Sequence, residues 1–170
     1  DPRRWYLGTG EGNGSGDNYG GIGVLRTRDA GRTWQVSNKF SNSVRCLAVD
    51  PSNTQRIYAC GDNGVYRSTD GGVNFTLVGG GLPAVSATKV VFRADDPSKL
   101  FASFWGGSPL YKSIDGGNTW SVVAGGLPAS GQGRTDLDVC RANPNVMTIV
   151  MEAGNGDLWR STDGGAVWTQ

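Results

Sequence analysis

Ser113-Ile114-Asp115-Gly116-Gly117-Asn118-Thr119-Trp120 occurs four times in variant form. The other copies are Thr27-Arg28-Asp29-Ala30-Gly31-Arg32-Thr33-Trp34, Ser68-Thr69-Asp70-Gly71-Gly72-Val73-Asn74-Phe75 and Ser161-Thr162-Asp163-Gly164-Gly165-Ala166-Val167-Trp168. An apolar run precedes each copy: Gly23-Val24-Leu25, Gly64-Val65-Tyr66, Pro109-Leu110-Tyr111 and Asp157-Leu158-Trp159. Another begins at each final aromatic. Two β-rich runs joined by Asp-Gly-Gly predict a hairpin. Glycine takes positive φ in the turn without a Cβ clash. The Asp carboxylate accepts the turn's own N–H groups, and the Ser or Thr hydroxyl adds a bond. The aromatic is expected to fold back over the turn and bury its ring. Asp29, Asp70, Asp115 and Asp163, with Trp34, Phe75, Trp120 and Trp168, therefore read as structural residues.

The box Asp residues lie 41, 45 and 48 residues apart. Such a period, with four strands in each, is the signature of a propeller. Strands are expected at 44–49, 56–60, 64–68 and 75–78 in the second repeat. In the third they are expected at 88–93, 100–104, 110–113 and 120–123, and in the fourth at 136–141, 147–152, 158–161 and 168–170. Asp50-Pro51, Asp96-Pro97 and Asn143-Pro144 mark the turn between the first two strands of each of these repeats. The first repeat supplies only 4–9, 22–27 and 34–36, with no innermost strand.

The repeated pattern resembles the Asp-box, or BNR, repeat. That family includes sialidases, xyloglucan-active hydrolases, sortilin-type receptor domains and photosystem assembly factors. The resemblance implies an all-β fold, a β-propeller of four-stranded antiparallel blades. It also implies that the boxes lie on the face away from the ligand site, and that the setting is extracellular or the cell envelope. About four blades are present, the first incomplete. The chain reads as a single propeller segment over 1–170, with repeats at about 1–40, 41–80, 81–125 and 126–170. Without a closing strand it is expected to be a mature or excised part of a larger propeller, or to be completed by other chains. A closed four-blade ring is the alternative.

Composition narrows the chemistry. The chain has 170 residues, 28 of them Gly, and a net charge of +1. No run of Lys or Arg supports a nucleic-acid or anionic-membrane partner, and no stretch approaches a membrane span of roughly 20 apolar residues. There is no His, which removes Ser-His-Asp and Cys-His mechanisms from this chain. Cys46 and Cys60 count to opposite positions across a turn. Two buried thiols are expected there, a cross-strand disulfide being the alternative, and Cys140 is left over. No cysteine pair has zinc spacing.

The face opposite the boxes carries the candidate sites. The longest loop there, residues 8–21, offers oxygen ligands at Glu11, Asn13, Asp17 and Asn18, with Tyr19 beside them. It reads as a solvated flexible loop, a polar ligand surface or a calcium site; no other cofactor is implied. Trp105 would stack on a sugar or protein partner, or pack over the neighbouring blade. Arg134, Asp136 and Asp138 open an innermost strand near the channel mouth, with both carboxylates on one strand face. Ligand contacts are thus expected from Glu11, Asn13, Asp17, Tyr19, Trp105 and Arg134. The weak catalytic candidates are Glu11, Asp17, Asp136 and Asp138. Sequons occur at Asn13 and Asn74, the latter inside a box turn.

Two functions compete. One is a non-catalytic module that binds a protein, a glycan or the remaining blades of its own propeller. The other is a glycoside hydrolase resembling the xyloglucan-active or sialidase members. That chemistry needs two carboxylates flanking the bond, about 5 Å apart for retention and about 6.5–9.5 Å for inversion. Arg3, Arg4, Arg45 and Arg134 are scattered in sequence and give no arginine cluster. A photosystem-assembly type of propeller is a third reading, set against the lack of an Arg-rich patch.

Overall fold

The computed structural model describes residues 1–12, 16–106, 110–129, 133–152 and 156–170. These residues form a β-propeller arc of four antiparallel sheets, with no helix among them. The first blade is β1 (Trp5–Gly8), β2 (Val24–Thr27) and β3 (Gln35–Val36). The second is β4 (Cys46–Val49), β5 (Ile57–Gly61), β6 (Gly64–Ser68) and β7 (Thr76–Leu77). The third is β8 (Ala87–Phe92), β9 (Leu100–Phe104), β10 (Leu110–Ser113) and β11 (Ser121–Val122). The fourth is β12 (Thr135–Val139), β13 (Met147–Met151) and β14 (Asp157–Ser161). Strands follow chain order within every sheet.

The expected fourth strand at 168–170 is reduced to one bridge between Arg160 and Thr169. The first blade indeed lacks an innermost strand, so β1 lies at the end of its sheet. A cavity of about 550 Å³ opens beside it, lined by Asp1, Arg4, Tyr6, Val49, Thr54 and Gln55.

Blades stack face to face, and this explains the sequence of the middle strands. Side chains alternate between strand faces, and the second and third blades are covered on both. Every residue of β5 and β9 is accordingly buried, and apolar residues dominate both. Val24, Ile57, Ala59, Tyr66 and Phe75 fill the space between the first and second blades. Tyr58, Val65, Leu100, Ala102, Phe104 and Trp120 fill the next. Phe101, Leu110, Leu137, Ile149, Met151 and Trp168 fill the last. The end blades keep one face open: Trp5 and Leu7 on the first, and Val150 and Leu158 on the fourth, are exposed.

The box turns are built alike. Thr27, Ser68, Ser113 and Ser161 donate Oγ–H to the Asp Oδ1 two residues on, at 2.7–2.8 Å. Each hydroxyl oxygen accepts the N–H of the glycine four residues on, at 2.9–3.0 Å. Oδ1 then accepts the N–H of Thr33, Asn74, Thr119 or Val167. The aromatic positions are not equivalent. Phe75, Trp120 and Trp168 are buried, whereas Trp34 is 40% exposed. The cause lies in the preceding blade, on which the other three rings pack. Gly80 and Gly125 carbonyls accept the Trp120 and Trp168 main-chain N–H groups at 2.7 and 2.8 Å. The Asn38 side chain caps Phe75 in the same way at 2.7 Å. Trp34 lies on the open face of the first blade.

Cys46 and Cys60 are directly paired in the β4–β5 register and form a disulfide. The expectation of two thiols was wrong: their Cα atoms lie 5.0 Å apart, within bonding reach. Cys140 is free and exposed.

Candidate functional site at the channel mouth

The box turns and the Asp-Pro turns share one end of the blades. Backbone bonds tie them, as in Gly71 N–H to Gln55 O and Gly116 N–H to Ser98 O. The loops between second and third strands therefore occupy the other end with the inter-blade linkers. There Trp105 N–H reaches Ser86 O, and Gly106 N–H reaches Gly133 O.

The long first-blade loop is tied down near its two ends, and its described residues 16–20 are exposed. Gly21 N–H donates to Asn42 O at 2.6 Å and Val44 N–H to Thr9 O at 3.0 Å. Ser43 Oγ–H donates to Glu11 O at 2.6 Å. Thr9 Oγ1 donates to Gly23 O and accepts Ile22 N–H. Glu11 and Tyr19 face each other through Glu11 N–H to Tyr19 O at 3.0 Å and Tyr19 N–H to the Glu11 carboxylate at 3.3 Å. Tyr19 and Asp17 are exposed. Asn13 lies outside the described residues, as does its sequon. Among the described residues no group of three or more His, Cys, Asp or Glu side chains could hold a metal ion. Asn74 spends its amide on Asp70 Oδ2 at 2.8 Å.

Asp136 and Asp138 do share one strand face, since Leu137 and Val139 are buried on the other. That face is the open side of the fourth blade. Asp136 pairs across from Val150, and Val150 from Leu158. Lys89 Nζ lies 3.5 Å from Asp136, an exposed pair of small energetic weight. Both carboxylates stand on one face of β12. Trp105 is half-buried.

Sequence reasoning missed the grouping of arginines. Arg45, which precedes the innermost strand of the second blade, and Arg134, which precedes that of the fourth, line one cavity of about 250 Å³ with Gly10, Gly12 and Val44. Eighty-nine residues separate the two in sequence, and no local pattern announces the meeting. Asp62, between β5 and β6, holds Arg45 Nη2 at 2.9 Å. Its second oxygen accepts Ser41 Oγ–H and the N–H groups of Asn42 and Ser43. Burial opposes ionisation of Asp62, but the Ser41 hydroxyl and Arg45 hold its carboxyl below the usual range. Glu152 accepts Arg134 N–H at 2.9 Å and returns its own N–H to Arg134 O. Arg134 also lines an adjoining cavity of about 300 Å³ with Asp136, Val150, Met151, Glu152 and Gly156.

No family model matches the chain. It is 36% identical over 89 residues to a xyloglucanase of Hypocrea jecorina, covering 46% of this chain and 10% of that protein. Among solved structures, an ancestral GH74 enzyme superposes with a TM-score of 0.77 at 20% identity, covering 99% of this chain and 22% of that one. The GH74 xyloglucanase of Xanthomonas campestris gives 0.56 at 20% identity, covering 99% and 36%. YCF48 of Cyanidioschyzon merolae gives 0.57 at 16% identity, covering 83% and 44%. The fold is thus that of a β-propeller like those of the GH74 and YCF48 structures. The chain spans a tenth of the curated xyloglucanase it matches. Among the described residues no helix is long and apolar enough to cross a membrane.

Proposed function

We propose that the chain is a run of blades from a glycoside-hydrolase-like propeller of the xyloglucanase kind, and that it supplies glycan-binding surface. The observation that carries this reading is the 36% identity over 89 residues to the Hypocrea jecorina xyloglucanase. Further blades complete the ring beyond the open faces of the first and fourth blades. The glycan lies across the loop end, where the 8–21 loop, Trp105 and the innermost-strand entrances converge. Trp105 offers an aromatic face for a sugar ring. Asp136 and Asp138 share one face of β12, and glycoside hydrolysis needs two carboxylates placed about the bond. In this reading the chain binds the glycan, and the carboxylates for hydrolysis are drawn from the whole ring. The setting is extracellular or the cell envelope.

Calorimetric titration with a xyloglucan oligosaccharide tests this. Saturable binding that Trp105→Ala weakens at least about tenfold is expected, in line with loss of an aromatic anchor. Absence of binding to the intact chain, or an unchanged affinity in Trp105→Ala, would overturn the reading.

A further inference from the structure

β1 has a neighbouring strand on one side only. In the other three blades the equivalent strands, β5, β9 and β13, each carry an antiparallel innermost strand on that side. Those innermost strands also pack on one another around the axis, β8 on β4 and β12 on β8. Among the described residues β4 has no such strand on its first-blade side. Its side chains register the difference. Val49, Phe92 and Val139 are equivalent, lying opposite Ile57, Leu100 and Met147. Val139 is 6% exposed, and Phe92 meets the Tyr58 ring of the preceding blade edge-on at 5.7 Å, whereas Val49 is 39% exposed. Leu47 is half-buried where its equivalents Val90 and Leu137 are buried. The cavity of about 550 Å³ opens here, between Tyr6 of β1 and Val49 of β4. The turn that leads into β1 has the matching build. Arg4 N–H donates to Asp1 O at 3.1 Å, as Lys99 N–H does to Asp96 O and Val146 N–H to Asn143 O at 2.9 Å. An innermost strand, β8 or β12, runs towards each of those two turns.

We infer that this groove is a strand-docking site, and that its occupant is one extended strand from the remaining part of the ring, antiparallel to β1. The inference rests on the reading of the chain as a run of blades and states what the first blade receives. An unpaired sheet edge is a template for a further strand. Main-chain bonds attach such a strand, and pockets for alternate side chains select it. The two joints that have both innermost strands define the chemistry of the occupant. Ala48 of β4 packs towards the third blade, and Val91 of β8 towards the fourth. The occupant therefore sets a small or medium apolar side chain over Leu47 and Val49. A polar side chain at that position would be buried against apolar groups at a cost.

The test places a copy of residues 87–95 directly ahead of Asp1, so that Asp1-Pro2 follows it as Asp96-Pro97 follows the original. In the extended chain the Val49 methyl groups are expected to show nuclear Overhauser contacts to the added strand. The β1 amides not bonded to β2 are expected to exchange with solvent at least about tenfold more slowly than in the 170-residue chain. The same copy carrying Val91→Asn is expected to lose most of that protection. Absence of both signs from the folded, extended chain would overturn the site. Equal protection from the Val91→Asn copy would overturn the apolar requirement. If the extended chain fails to fold, a separate peptide of residues 87–95 at millimolar concentration decides. It is expected to shift the amides of β1 and Val49, and no shift there would overturn the site. Xyloglucan binding reports on Trp105 at the other end of the blades, so each idea fails separately.

Discussion

Ala30 is the one described non-glycine residue with positive φ, at 59°. It occupies the place of Gly71, Gly116 and Gly164, whose φ values are 71°, 70° and 77°. A Cβ in that region is strained, and glycine relieves it at some entropic cost in the unfolded chain. Ala30→Gly is therefore expected to stabilise by about 0.5–1 kcal/mol, read from denaturant melts; a loss of stability would contradict the strain. The box carboxylates carry the second residue-scale consequence. The Thr33 hydroxyl and N–H, with Thr27, hold Asp29 at about 2. Burial works against Asp70, yet Asn74 and Ser68 hold it at about 2 as well. The Thr119 hydroxyl and N–H push Asp115 well below the usual range. Folded values below the ordinary one mean that the stabilisation is complete above about pH 4 and is lost as pH falls through the folded values. The melting temperature should hold steady down to about pH 5 and fall between about pH 4 and pH 2. A flat profile across that window would contradict the turn chemistry.

At the scale of elements, the β4–β5 pair is the clearest case. The disulfide joins residues 14 apart, and closing a loop of that size is worth about 3 kcal/mol in the chain-entropy account. A Cys46→Ala/Cys60→Ala variant should lose roughly that much, within about 2–4 kcal/mol, by urea unfolding. A variant as stable as the parent would contradict it. The same pair shows what the sequence made legible. Counting outward from one turn placed Cys46 opposite Cys60, but counting does not decide oxidation state. The expected spans 100–104, 110–113 and 64–68 match β9, β10 and β6 residue for residue, because burial on both faces and tight turns fix their ends. The outermost strands shrank to two residues in β3, β7 and β11 and to a single bridge at Thr169. They have only one neighbouring strand, and an alternation of exposed Thr, Gln and Ser holds little ladder. Trp34 was misjudged for a related reason. Burial of a box aromatic comes from the preceding blade, which a local motif does not contain.

For the whole molecule, the blade order and the two ends of the arc were readable from period and turn chemistry, while the channel mouth was not. Arg45 and Arg134 meet only because their strands open at the same end around one axis, and their separation of 89 residues leaves no trace in the local pattern. The 8–21 loop showed its length in the sequence, but its anchoring to Asn42, Ser43 and Val44 is tertiary. The open faces follow from the same stacking. Trp5 and Leu7 stand exposed where the equivalent positions of later blades are covered by a neighbour. The measurement that tests the account most directly maps a glycan onto these two ends by amide chemical shifts. With xyloglucan oligosaccharide added to the isotope-labelled chain, shifts should concentrate at Glu11, Tyr19, Trp105, Arg134 and Glu152, and leave Asp29, Asp70, Asp115 and Asp163 still. Shifts confined to the four box turns, or none at saturating glycan, would contradict the placement of the binding surface.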